Sequence, residues 1–397
     1  MLALAFVSAA AQRTASPILI LVSFDGFRWD YIGRGETPHL TALAARGVRA
    51  EGLIPSFPSF TFPNHYTIVT GLSPEHHGVI ANTMDDPGWP ERFTMAGLTS
   101  RDQRWWGGEP MWVTARKQNR RAGSVFWPGS EAAVQGIRPD YWLPFDDEMP
   151  NVDRVNHLVD LLSLPDAERP SFLTLYFSEV DHVGHDYGPD APEIPEALRH
   201  VDASLGLLED AIRDLHLGDR TTLVVVSDHG MAPVSDQQVI FLDDYLDLST
   251  VEVVEWGELV QLRPRRGTAD DISRAIQGRH PSMAVYKREE MPERFHYRAN
   301  ARIPPVLAQA AEGWEITSHA RWQSDLERHR KRGGAHGYDP RLKSMHGLFV
   351  AAGPGVRRGV VAPEFENIHI YEFLCGILGV KPAKNDGNPA VTRPFRS

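Results

Sequence analysis

Five short stretches of this chain carry side chains that could hold a metal or attack a phosphoryl group. Asp25 ends an apolar run, Thr61 lies among prolines, Asp181 and His185 stand four apart, Asp228 and His229 are adjacent, and His336 follows a pair of glycines by one residue. Carboxylates and imidazoles without a thiolate form an oxygen and nitrogen donor set suited to zinc, and there are enough of them for two ions. Each piece alone has a plainer reading. Asp-x-x-x-His is a common pair on a helix face, and Asp-His-Gly after a strand can be a simple turn. Their combination carries the weight. Thr61 adds a hydroxyl expected as the N-cap of a helix, where unpaired N–H groups and the positive end of the helix dipole suit an anionic phosphoryl group. An isolated Thr before a helix is ordinarily only a cap, so its neighbours decide its role.

The elements that must bring these residues together are legible as apolar runs. PILILVSF (17–24), SFLTLYF (171–177) and TTLVVVS (221–227) are short and rich in branched residues, as in strands buried on both faces of a parallel sheet. Asp25, Asp181 and Asp228 all follow such runs, at the carboxyl edge where open α/β sheets gather their sites. Thr37 and Pro38 open one helix, and Pro63 fits the first turn of another that Gly71 closes. Further helices are expected from Asn151, over about 193–215, and over 370–378, with a strand at 347–352. Residues 83–150, rich in tryptophan, read as long ordered loops with one short strand near 122–127. Residues 240–335 are more charged and could form a partly separate lobe; the run 328–332 reads as a solvated face. The alternation of strands and helices predicts an α/β fold, a mostly parallel central sheet with helices on both faces, over a single domain of residues 17–397.

Composition narrows the partners. The chain has 397 residues, 42% hydrophobic and 23% charged, with a net charge of −11, so bulk electrostatics do not draw it to nucleic acid or to anionic membrane. An anionic substrate must be held by a focused site. The one cysteine, Cys375, sits in an apolar run and excludes both an intramolecular disulfide and a thiolate zinc cluster. No stretch reaches the ~20 apolar residues that span a bilayer. Residues 1–16 resemble the end of a secretory signal, apolar and then small, which points to a periplasmic or secreted protein.

Taken in order, SFDG, PSFPSFTFPNHYTIVTGLSPEHHGVIAN, VDHVGH, VVSDHGM and HGYDPRLKSMHGLFVAAGPG resemble the nucleotide pyrophosphatase/phosphodiesterase family of the alkaline phosphatase superfamily. The resemblance runs from about residue 17 nearly to the end of the chain. It implies an alkaline-phosphatase-like fold and two zinc ions, one held by Asp181, His185 and His336, the other by Asp25, Asp228, His229 and the nucleophile Thr61. By the same resemblance the Asn82 side chain and the Phe62 backbone N–H bind a non-bridging phosphate oxygen, whereas His65, His76 and His77 are structural. This sequence is not expected to contain the cysteine-rich and nuclease-like modules of larger animal members.

That chemistry is physically coherent. A threonine hydroxyl is a poor nucleophile until a cation lowers its pKa, and a second cation can neutralise the leaving oxygen opposite. The expected course is attack by Thr61, a covalent intermediate on Thr61, then hydrolysis by water. The expected substrate is a small phosphodiester, most simply a nucleotide, with Phe62, beside the nucleophile, and Tyr176, near a strand end, as candidate pocket residues; Phe145, in DYWLPFD, joins them by its resemblance to a family position near the same pocket. Two alternatives stay open: a lysophospholipid or glycerophosphodiester head group at the same site, and a non-catalytic binding protein. Oligomeric state is not read from the sequence.

Overall fold

The computed structural model describes residues 16–328 and 332–397. The expected signal remnant therefore falls, except for Ser16, outside the described residues, as does the middle of the basic run.

Eight strands form the central sheet: β1 (Ile18–Phe24), β2 (Val48–Ala50), β3 (Ala122–Val125), β4 (Tyr141–Trp142), β5 (Phe172–Phe177), β6 (Thr221–Val226), and, near the carboxyl end, β7 (Phe349–Ala352) and β8 (Val360–Ala362). Their order is β8-β2-β7-β6-β1-β5-β3-β4. β1 lies between β5 and β6 and runs parallel to both, with Val22 opposite Leu175 on one side and Val225 on the other. β7 pairs antiparallel with β6 and with β2, so it is the one reversed strand of the sheet.

The branched runs form central strands because both of their faces find apolar partners. Ile18, Ile20, Val22 and Phe24 pack in one cluster with Leu40, Leu158, Leu198, Val201 and Leu205. Leu19 and Leu21 face the opposite cluster, with Tyr66, Trp112, Phe373 and Leu374. The first cluster is covered by helices α1 (Pro38–Ala45), α4 (Asn151–Leu162) and α6 (Ile194–Asp214); the second by α2 (Thr61–Thr70), α3 (Met111–Lys117) and α8 (Ile370–Leu378). Helix α5 (Glu179–Tyr187) continues directly from the carboxyl end of β5, and a short helix, α7 (His319–Glu327), lies in the charged region. The mostly parallel sheet with helices on both faces is thus the architecture found.

Two departures have clear physical causes. α3 is absent from the expectation because its seven residues, MWVTARK, are too few to show a period and five of them are buried. In α4 Val155, Leu158 and Leu162 are buried while Val152, an apolar residue of the same helix, is 47% exposed, so the buried stripe is narrower than the run of apolar residues in its sequence. Within residues 240–335 a four-stranded antiparallel sheet forms from 251–255, 259–264, 306–310 and 283–287, with its own apolar cluster around Val260, Leu262, Ile272 and Ala308.

Candidate active site

All the singled-out residues come to the carboxyl edge of β1, β5 and β6. Asp25 follows β1 and is 1% exposed; Asp228 and His229 follow β6 and are equally buried. Asp181 and His185 occupy successive turns of α5, and His336 lies in the turn that leads towards β7, whose reversed direction puts its start at the same edge. Two glycines make the approach possible. Gly26 has φ +68°, and a Cβ there would stand 2.8 Å from Asp181 Cα; Gly337 has φ +107°, and a Cβ would meet the Phe60 ring at 2.3 Å.

Thr61 is the first helical residue of α2, and Phe60, not Thr61, is the N-cap. The expected cap role is therefore corrected. A side chain at the first helical position tilts away from its own first turn and cannot reach the free N–H groups there. Its hydroxyl instead lies 3.3 Å from His229 Nε2, aimed into the carboxylate and imidazole cluster. The Phe62 N–H of that first turn donates to Asn82 Oδ1 at 3.0 Å, which puts Asn82 beside the helix terminus.

Two buried sets of donor atoms converge, each with all atoms within 4.8 Å of one another: Asp181, His229 and His336, and Asp25, His65 and Asp228. His229 sits between them. Its Nε2 is 3.0 Å from Asp228 Oδ2 and 3.5 Å from Asp25 Oδ1, and its ring stacks on His336 with centroids 3.5 Å apart. His185 borders the first set, 3.5 Å from Asp181 Oδ1 and 3.1 Å from His336 Nε2. The second ring nitrogen of each histidine is bound to a carbonyl: Gly334 for His185, Gly230 for His229 and Ser59 for His336. Such contacts fix the tautomer and leave Nε2 free to ligate.

Two carboxylate oxygens at this centre, Asp25 Oδ1 and Asp181 Oδ1, are buried without a hydrogen-bond partner, and Asp228 Oδ2 is approached by the His229 and His65 imidazoles at 3.0 and 3.2 Å. Buried charge needs compensation, and these oxygens face one another and the imidazoles, so the residues present fit divalent cations. The electrostatics agree. Burial, with the charges of Asp228 and Asp181, pushes the Asp25 carboxyl well above the usual range. At Asp228 burial acts the same way but is outweighed by His229 and His65, and its carboxyl falls well below that range. Burial pulls His336 down to about 3, with His229 adding to it. On His229 burial is overcome by Asp228, and the imidazole is raised.

His65, read from the sequence as structural, is the residue that reading undervalued. It is fully buried, Nδ1 lies 2.9 Å from the Thr61 carbonyl and 3.2 Å from Asp228 Oδ2, and Nε2 meets the Ser23 hydroxyl at 2.8 Å. Its position four residues after Thr61 is the signal that could have found it, because i and i+4 share a helix face. His77 is a packed core histidine bonded to Thr67, and His76 pairs with Asp386 at the surface.

The aromatic candidates fall on two sides. The Phe62 ring packs near Phe93 and Trp106, with centroids 5.8 and 6.0 Å away. Tyr176 donates its hydroxyl to Asp25 Oδ2 at 2.6 Å, and its ring is edge-on to Phe145, which is 49% exposed.

Residues 19–339 match the family described as type I phosphodiesterase/nucleotide pyrophosphatase. The chain belongs to this family. It is 33% identical to human ectonucleotide pyrophosphatase/phosphodiesterase family member 5 over 93% of its length and 76% of that protein's. It is 37% identical to an uncharacterized pyrophosphatase/phosphodiesterase of Schizosaccharomyces pombe, over 95% of this chain and 80% of the yeast one. Human family member 1 is 36% identical over 94% of this chain, which spans only 41% of that larger protein. The structure of murine ectonucleotide pyrophosphatase/phosphodiesterase 5, an inactive threonine-to-alanine variant in complex with AMP, superposes with a TM-score of 0.90 at 34% identity, covering 96% of this chain and all of the murine one. The fold is therefore the one this family shares, and the family is one of hydrolases.

Proposed function

We propose that this protein is a zinc-dependent phosphodiesterase/pyrophosphatase that releases nucleoside monophosphates through a covalent intermediate on Thr61. One observation carries the reading: a hydroxyl at the start of a buried helix points into two converging sets of carboxylates and imidazoles, in which Asp25 Oδ1 and Asp181 Oδ1 are buried without a hydrogen bond. Asp181, His185 and His336 would hold one zinc, and Asp25, Asp228 and His229 the other, with Thr61. Bound there, the ions supply charge neutralisation and lower the hydroxyl pKa of the nucleophile.

The chain's own residues do the rest. The helix dipole and the first-turn N–H groups of α2 favour the anionic substrate. The Phe62 N–H, now bonded to Asn82 Oδ1, exchanges that partner for a non-bridging phosphate oxygen, which the Asn82 amide also contacts. Thr61 attacks in line, the ester oxygen departs, and water then cleaves the Thr61 ester, so two displacements give net retention at phosphorus. Phe62, Phe145 and Tyr176 offer rings on which a base can lie, Tyr176 also orienting Asp25.

A lipid head group is the less suitable substrate. The cavity bordering His185, about 560 Å³, mixes charged residues, among them Arg92, Glu255, Glu315 and Arg321, with a few apolar ones, and an acyl chain would meet charge along much of its wall. Export is in keeping with the apolar start of the chain and with relatives named as ectoenzymes and as venom phosphodiesterases from Crotalus. No helix among the described residues is long and apolar enough to cross a membrane.

The test pairs zinc content with hydrolysis of p-nitrophenyl-thymidine monophosphate and p-nitrophenyl phosphate, each with and without chelator. Bound zinc and a chelator-sensitive preference for the diester are expected. A preference for the monoester moves the protein to the phosphatases, and no metal with no turnover restores the binding-protein reading.

A further inference from the structure

Asn82, whose amide meets a phosphate oxygen in the reading above, stands on backbone that belongs to no helix or strand. Residues 78–82 join a short helix, Pro74–His77, to a short strand, Thr83–Asp85. Backbone of this kind has no ladder to fix it, so its carbonyls and N–H groups find partners elsewhere. Here the side chains that hold it come from one region. Arg302 Nη1 donates to the Gly78 carbonyl, the Tyr297 hydroxyl donates to the Ile80 carbonyl, and Glu255 Oε2 accepts the Thr83 N–H, each at 2.8 Å. All three lie within residues 240–335, which carry the four-stranded antiparallel sheet.

These anchors are themselves fixed. Tyr297 is fully buried, its ring stands edge-on to Phe57 with centroids 5.2 Å apart, and its hydroxyl accepts from Gln261 Nε2 at 3.1 Å. Gln261 is equally buried and is the cross-strand partner of Glu255. One hairpin of the antiparallel sheet therefore grips the backbone on both sides of Asn82, directly through Glu255 and by way of Tyr297 through Gln261. Thr61 and the Phe62 N–H ride instead on α2, which packs on the central sheet. The distance from the Asn82 amide to the reacting centre is thus set from outside the sheet that carries Asp25 and Asp228.

We propose that Tyr297 and Glu255 are positioning residues of the reaction: by holding the backbone before and after Asn82, they set its amide against the phosphate oxygen. This rests on the phosphodiesterase reading above and gives the antiparallel sheet a part in it. Each side chain acts through Asn82 and makes no bond to the reacting atoms. A donor stabilises a phosphoryl transition state only while it is held in place, and a displacement of about 1 Å can cost about 100-fold in rate.

Tyr297→Phe keeps the ring and removes one hydroxyl, and Glu255→Ala removes the acceptor of the Thr83 N–H. Each is made in the wild type and in Asn82→Ala, and kcat, KM and zinc content are compared on p-nitrophenyl-thymidine monophosphate. Asn82→Ala alone lowers kcat about 100-fold, as loss of one such donor does. In the wild type each positioning variant lowers kcat about 5- to 20-fold, with KM changed less than about twofold and zinc content unchanged. In Asn82→Ala neither lowers kcat further by more than about twofold, because the amide they place is gone. The same fold-loss in both backgrounds, which a merely structural role would give, or no loss in the wild type, overturns the proposal. An Asn82→Ala protein as fast as wild type overturns the part given to Asn82 and this proposal with it. A wild-type protein inactive on the diester overturns the phosphodiesterase reading itself.

Discussion

Two groups of residues at the site, Asp25, His65 and Asp228 on one side and Asp181, His185 and His336 on the other, are built in different ways. Asp25, His65 and Asp228 come from strand ends and from a helix packed on the sheet, and none is more than 1% exposed. Backbone and side-chain bonds hold them: the Gly26 N–H donates to Asp228 Oδ1 at 3.4 Å, and His65 joins Ser23, the Thr61 carbonyl and Asp228. Asp181, His185 and His336 come from a short helix and a glycine turn, and the His185 side chain is 40% exposed. The inner set is a product of the central sheet and inherits its rigidity. The outer set borders the cavity of about 560 Å³ through His185.

That contrast can be broken by mutation. Asp228→Asn is expected to cost more than 1,000-fold in kcat/KM, beyond the roughly 100-fold that outer supports of a metal site typically cost, and added zinc should not rescue it. His185→Ala should cost about 10- to 100-fold and be largely restored by excess zinc, because the remaining donors keep the site open to solvent. Equal losses, or rescue of the inner variant, would erase the distinction.

Proton release sharpens it. Metal binding needs neutral imidazole and ionised carboxylate, and Asp25 and His229 both titrate above their ordinary values. Below those values each must give up a proton to receive the ion, so inner-site affinity weakens as pH falls. Burial holds His336 near 3 and the neighbouring imidazoles, against burial, hold Asp181 below its ordinary value, so those two add no such slope around neutrality. Zinc titrations with a pH-calibrated competitor should show affinity at the site holding Asp25 and His229 falling the more steeply as pH is lowered, by up to about tenfold per unit for each proton displaced.

The smallest effect concerns the joint between the antiparallel sheet and the Asn82 turn. Glu255 accepts the Thr83 N–H at 2.8 Å, and burial raises its carboxyl from 4.5 to about 7. Between those values the folded protein keeps a proton that the unfolded chain has lost, so this group makes stability fall as pH rises, and the loss is complete above about 7. Glu255→Gln removes the dependence. Its unfolding free energy relative to wild type should rise by on the order of 2 kcal/mol between about pH 4.5 and 7.5 in urea titrations, somewhat less than the full shift because the residue is only half-buried. A flat difference would show that Glu255 ionises freely in the folded state.

How much of this was legible depended on the range of the signal. The strands at 18–24, 172–177 and 221–226 and the helix at 370–378 were readable because branched runs and helical spacing are local patterns. The convergence of Asp25, Asp181 and Asp228 followed from topology, since the carboxyl ends of parallel strands share one edge. The part played by His65 was not apparent, because a buried histidine on a helix looks the same whether it packs or positions a carboxylate. The Thr61 cap was misplaced by one residue, a shift that turned the hydroxyl from its own helix to His229. The reach of Tyr176 to Asp25 and of Glu255 to Thr83 are contacts across 151 and 172 residues that no local pattern encodes.

The central claim is that Thr61 attacks while the surrounding carboxylates and imidazoles hold the ions. Wild type and Thr61→Ala should be compared in one experiment for zinc per chain and for turnover of p-nitrophenyl-thymidine monophosphate. The account predicts two zincs in both proteins and a loss of turnover of at least ~1,000-fold in the variant. A variant that binds zinc and turns over as fast as wild type would contradict it.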